Sequence, residues 1–253
     1  MEVQIHYELA ALTFMLAATL VFFRQRHLRV YRSSLFFWLM VLGVVTAACD
    51  VFCGITDLKQ IPFTAGIVAH TLLFIASLVY SVVYSMYAME LLHRLDYIRD
   101  RKVLWCIPFV IGIILIMTTP FTGVLYTYDE QGMYHRGLGF YSIALITLLY
   151  VMVPWILMRR VSFVPQKTKR WIIAIPVAVV TARILQYVFF PRYLFAYAVN
   201  SVVLFCCYLF LQNSDYYMDE VTGFFKMHGF EETVREKMVY KEECSVLILR
   251  IIN

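Results

Sequence analysis

The stretch AGIVAHTLLFIASLVYSVVYSMYAM, residues 65–89, contains no Lys, Arg, Asp or Glu and a single histidine, His70. The hydrocarbon core of a bilayer is crossed by roughly 20 helical residues, so this run is long enough to span as a helix. Its neighbours repeat the pattern. Apolar runs at 5–23, 33–53, 103–119, 138–158, 171–189 and 194–212 bring the total to seven. The predicted fold class is therefore all-α membrane, a seven-transmembrane helix bundle with a short α/β fragment behind it. Composition agrees: 62% of the chain is hydrophobic and 15% charged, where a soluble domain carries about 25% charged residues. The first run has no basic residue before it and four after it. That is the reverse of a cleaved signal peptide.

Orientation follows from the positive residues between the runs. The first, third and fifth connections hold thirteen Lys and Arg, and the opposite ones hold only Lys59, Arg136 and Arg192. The split predicts an N-terminus outside and a C-terminus in the cytoplasm, as an odd number of spans requires. The net charge of +5 does not point to nucleic acid, because the basic residues lie in short clusters between apolar runs. The lipid bilayer is the expected partner.

On the outer side only 120–137 has room for structure. The segment GVLYTYDEQGMYHRG places a turn centre at residues 129–132 between tyrosines 126, 128 and 134. Their period of two predicts a short β-hairpin. An external signal would have to be read by this hairpin or by the helices.

Ionisable groups inside spans are costly and are functional suspects. Asp50, His70, Arg183, Gln186, Tyr187 and Asn200, with Glu8, are expected within about 10 Å of the outer boundary at 1.5 Å per residue. One reading is a polar pocket for an unknown small ligand, with Arg183 offering a fork to an anionic group and Asp50 as its resting partner. The other is a structural network, an Asp50–Arg183 pair with His70 and Asn200 bonding between helices. Span 194–212 lacks the lysine that a retinal protein needs, and the inner halves lack the ionisable chain of an ion translocator. A small-solute transporter is the rival from another class. The six cysteines read as small apolar side chains rather than metal ligands. The aromatic residues, 17% of the chain, are expected mostly at lipid-facing and interfacial positions.

Beyond a linker at 213–218, residues 219–253 read as turn, amphipathic helix and the buried strand SVLILRII. About 35 residues do not close a core alone, so the expectation is the start of a truncated α/β domain. DEVTGFFKMHGF, residues 219–230, resembles the opening motif D-x-L-T-G-L-x-N-R-R-x-F of GGDEF domains, the diguanylate cyclase fold. Asp219, Thr222, Gly223 and Phe230 carry the match. The hairpin loop also resembles the seven-helix sensory region found ahead of GGDEF domains and histidine kinases in bacteria. The resemblance implies a sensor in the bacterial inner membrane, a homodimer, with output through cyclic di-GMP. It implies Mg and GTP only for a complete, active domain. Departures stand beside it. Lys226, Met227 and His228 replace the usual Asn-Arg-Arg, and Arg250 and Ile252 occupy the positions of the family's Asp-x-Asp. Arginine does not ligate Mg²⁺. No catalytic residue, no metal ligand and no cofactor is therefore expected in this chain, and no cyclase activity. A degenerate domain serving a downstream EAL phosphodiesterase is the alternative output.

Overall fold

A computed structural model describes residues 6–24, 34–59, 63–92, 94–129, 134–159, 166–189 and 196–209, with residues 226, 227, 230, 231 and 234 beyond them. Each of the seven apolar runs contains a helix among its described residues. The helices are α1 (His6–Arg24), α2 (Ser34–Lys59), α3 (Phe63–Leu91), α5 (Lys102–Thr122), α6 (Phe140–Met158), α7 (Gln166–Val188) and α8 (Ala196–Cys207). Between α3 and α5 lies a further helix, α4 (Leu95–Asp100), where only a connection was expected. It is six residues long, too short to register as an apolar period, and an Asp96–Arg99 ion pair at 2.8 Å staples its exposed side.

Among the described residues, four helical segments are long and apolar enough to cross a membrane: Ser34–Thr56, Thr64–Leu91, Lys102–Thr122 and Phe140–Met158. The described parts of α1 and α8 give shorter apolar segments, Glu8–Phe23 and Ala198–Cys207. α7 begins with Lys167, Lys169 and Arg170 and carries Arg183 in its second half. This is the composition of a mostly helical membrane protein.

Hydroxyl side chains within these helices bond to their own backbone. Thr19 Oγ1 donates to Met15 O at 2.7 Å, Thr119 Oγ1 to Leu115 O at 2.7 Å, and Ser81 Oγ to Ser77 O at 2.9 Å. In hydrocarbon no water is present to take those protons, so the preceding turn accepts them. α5 ends at Gly123, whose φ of 66° places it in the left-handed region. Its N–H closes the last turn on Thr119 O at 2.8 Å, the usual way a glycine stops a helix.

α3 is the axis of the bundle. At its second half and the turn after it, Tyr87, Met89 and Leu92 pack in one apolar cluster with Phe22 of α1, Phe36 of α2 and Tyr208 after α8. A second cluster joins Leu78 of α3 to Ile116 of α5, Ile143 and Tyr150 of α6, and the hairpin residues Leu125 and Tyr126. Hydrogen bonds reinforce this role. Ser85 Oγ donates to Tyr150 O of α6 at 2.5 Å, and Tyr84 donates to Ile172 O of α7 at 3.4 Å. Aromatic residues lie on both the outside and the inside of the bundle: Phe14, Trp38, Phe52 and Phe121 are exposed. Phe22, Phe36, Tyr87 and Tyr208 are all fully buried. Phe36 meets Phe22 and Tyr87 with ring centroids at 5.5 and 5.3 Å. Lipid is as apolar as a phenyl ring, so tight packing between rings, rather than removal from water, favours the inside positions.

Candidate functional site

The hairpin is present as expected. β1 (Tyr126–Tyr128) and β2 (Tyr134–Arg136) pair antiparallel, with Tyr126 opposite Arg136 and Tyr128 opposite Tyr134. Of its turn centre, residues 130–133 lie outside the described residues. Alternation along a strand puts Tyr126 and Tyr128 on one face, and the register adds Tyr134 to it. Below the strands, Gly137 N–H donates to Leu125 O and Gly139 N–H to Val124 O, each at 2.8 Å. These bonds fix the hairpin base against the start of α6.

The tyrosine face lies on the first half of α3. Gly66, Ile67, His70, Thr71 and Phe74 recur at spacings of three and four, which form one broad helix face. Tyr126 donates its hydroxyl to Ile67 O at 3.0 Å, and the same oxygen lies 2.7 Å from Thr71 Oγ1. Its ring stacks on Phe74 at 5.9 Å and 7°. Tyr134 stacks on the His70 imidazole at 4.3 Å and 16°. The Tyr128 hydroxyl is 2.7 Å from His70 Nδ1. Tyr128 reaches this position across Gly66, where an added Cβ would stand 2.7 Å from its hydroxyl oxygen.

His70 is 6% exposed, and its Nδ1 faces two oxygens, Tyr128 Oη and Gly66 O at 3.1 Å. The carbonyl can only accept, so one tautomer shares the Nδ1 proton between them. In the other tautomer the bare nitrogen accepts the Tyr128 proton. The two states differ in which way the phenol hydroxyl points. Burial pushes the Tyr126 phenol above its ordinary 10.0, against the opposing pull of the Thr71 hydrogen bond. Tyr126 therefore stays a donor at neutral pH. On the hairpin's exposed rim, His135 Nε2–H donates to Asp129 Oδ2 at 2.9 Å, and the Arg136 guanidinium lies 5.2 Å from the Phe140 ring centroid.

The other residues expected in the pocket whose side chains are described are buried or half-buried. Asn200 of α8 is buried and accepts the Tyr80 hydroxyl proton at 3.0 Å. Tyr80 lies ten residues beyond His70, about 15 Å farther along α3 at 1.5 Å per residue. Gln186 and Glu8 are buried, and Asp50 and Arg183 are half-buried. Tyr187 is in α7, and its side chain is outside the described residues, as are Asp219, Thr222, Gly223 and Arg250. Phe230 is helical and 37% exposed. No group of three or more metal-ligating side chains is assembled among the described residues.

The sequence identified His70 and the three tyrosines separately, but not that they meet. Thr71 and Tyr80 were missed altogether. A hairpin with three tyrosines on one face was the usable signal, because buried phenols need acceptors and the adjoining apolar helix offers His70. The chain matches no protein-family model, no curated protein and no solved structure.

Proposed function

We propose that the chain is a membrane signal sensor, in which the hairpin and α3 receive the signal and α8 passes it to a GGDEF-like cytoplasmic segment. In this reading all seven long helices span the membrane, with the N-terminus outside and residues 219–253 in the cytoplasm. The tyrosine face and His70 then lie near the outer surface, buried beneath the hairpin, where an extracytoplasmic or intramembrane ligand would act by displacing a tyrosine contact. The single observation that carries the proposal is the bonding along α3. One helix takes the hairpin at His70 and Thr71, and the last helix at Tyr80. α8 is the helix from which the cytoplasmic segment continues. A shift of α3 that follows reorganisation at His70 would reach Asn200 through one rigid element and one hydrogen bond. Coupling of this kind needs a helix with two arrangements that both sites bias, and the two tautomers of His70 offer one source of such bias.

The test is cyclic di-GMP measured in bacterial cells that produce the protein from its complete reading frame. Tyr80→Phe removes only the hydroxyl that joins α3 to α8. The expected result is a changed nucleotide level with the wild-type protein and a return to the level of protein-free cells with Tyr80→Phe. Identical levels in all three strains would reject the sensor. Solute accumulation by proteoliposomes would favour a transporter instead.

A further inference from the structure

At the junction of α4 and α5 the surface carries a groove of about 400 Å³. One wall is charged, with Arg99, Arg101, Lys102 and one acidic residue, Asp100; the other is apolar, with Val103, Leu104 and Ile107. Counting Arg94 and Asp96 as well, four positive side chains face two negative ones, a local balance of +2. Asp96 is engaged by Arg99 at 2.8 Å. Arg101 donates through Nη1 to the Tyr97 hydroxyl at 2.9 Å, and its guanidinium carbon lies 4.6 Å from the Tyr97 ring centroid. That contact holds the guanidinium in place while using one of its five N–H donors.

The apolar wall is continuous with the helix beyond it. Leu104, Ile107, Ile111, Ile114, Met117 and Phe121 are all exposed and recur at spacings of three and four along α5. From Leu104 to Phe121 the stripe runs about 26 Å at 1.5 Å per residue, close to the roughly 30 Å of a hydrocarbon core. The charged wall therefore falls just beyond one end of the hydrocarbon, at the level of lipid headgroups. A soluble acidic protein would need no such stripe.

We propose that this groove binds the headgroup of an anionic phospholipid, with one acyl chain lying along the exposed stripe of α5. Arg101 and Lys102 take the phosphate, Arg101 through its fork and Lys102 as a point charge. Val103, Leu104 and Ile107 take the first methylenes. The site is separate from the hairpin and does not depend on which end of the bundle faces the cytoplasm.

Purified protein in detergent can be offered phosphatidylglycerol or phosphatidylcholine of identical acyl chains, and lipid retention read by native mass spectrometry. The wild-type protein should retain the anionic lipid about twenty-fivefold better, since Arg101 and Lys102 each contribute about fivefold near a lipid surface. Lys102→Gln should lower that preference about fivefold, and Arg101→Gln with Lys102→Gln should remove it. Arg136→Gln, on the hairpin rim, should leave it unchanged. Excess inorganic phosphate should not displace the lipid, because it cannot occupy the apolar wall. Equal retention of the two lipids by the wild-type protein would overturn the proposal before any variant is made. So would a preference that survives the double substitution, or displacement of the lipid by phosphate alone.

Discussion

At the end of α3 and the turn after it, residues 84–92, Tyr87, Met89 and Leu92 pack in a single cluster with Phe22, Phe36 and Tyr208. At residues 66–74 of the same helix, the neighbours are three hairpin tyrosines that bond to a carbonyl, a hydroxyl and an imidazole. One end of α3 is joined mainly by apolar packing, with Tyr84 and Ser85 each bonding to a backbone carbonyl, and the other by ring stacking and hydrogen bonds from the hairpin tyrosines. The distinction matters in a membrane, where separated helices lose packing but not an apolar surrounding. At the apolar end the two hydrogen bonds, Tyr84 to Ile172 O and Ser85 to Tyr150 O, are both buried. At the tyrosine end each partner could be exchanged for a ligand group or a water at small cost. The same helix thus has one end held mainly by packing and one held by exchangeable hydrogen bonds, the asymmetry on which the proposed sensor rests.

The largest expected effect tests the packed end. Phe36 is 0% exposed, and Phe36→Ala leaves a void that Phe22 and Tyr87 do not fill without moving. The expected loss is about 3 kcal/mol, toward the low side for such truncations because the hydrocarbon transfer term is small here. Thermal unfolding in detergent would measure it. A cost below that of removing one hairpin hydroxyl would break the comparison, because the apolar end would then not be the anchor.

Tyr126→Phe probes the hydrogen-bonded end. It deletes a hydroxyl that lies 3.0 Å from Ile67 O and 2.7 Å from Thr71 Oγ1, and should cost about 1 kcal/mol at neutral pH. The pH dependence sharpens it. Burial raises the phenol above 10.0 in the folded protein, so the proton is held more tightly folded than unfolded. The stability tied to that proton is present in full below the unfolded value and is lost as pH rises through the folded one. Phenylalanine has no proton to lose, so the advantage of wild type over variant should shrink above pH 10.0. An advantage constant across that window would remove burial of the phenol from the account of the hairpin.

How much of this was written in the sequence depends on the range of the interaction. The helices follow from uninterrupted apolar runs, and the hairpin from alternating tyrosines around a turn, both visible within about twenty residues. The meeting of Tyr128 with His70 joins residues 58 apart, and no local period encodes which helix face a hairpin will cover. Depth assigned by counting from a predicted boundary suffers the same limit. Counting gives Asn200 a depth but no partner; it accepts the Tyr80 hydroxyl proton, a pairing set by how α3 and α8 pack. α4 escaped notice for want of length. The motif at Asp219, Thr222 and Gly223 lies outside the described residues, and its GGDEF-like reading stays a matter of sequence.

The smallest expected effect concerns the hairpin's other face. His135 donates to Asp129 at 2.9 Å across the mouth of the strands, but the two side chains are 59% and 37% exposed. Water competes for both groups, and ordering two side chains offsets much of the attraction, so such pairs contribute about 0–1 kcal/mol. Asp129→Asn keeps the size and an acceptor oxygen while removing the charge. It should shift unfolding by less than about 0.5 kcal/mol and leave protease resistance of the hairpin unchanged. If the tyrosine face does the docking, the rim can be rewritten freely. A loss comparable to that of Tyr126→Phe would mean that the strands are held closed by the rim, with the tyrosines following rather than leading. The hairpin would then open from its exposed side, and His70 would be a consequence of docking instead of its cause.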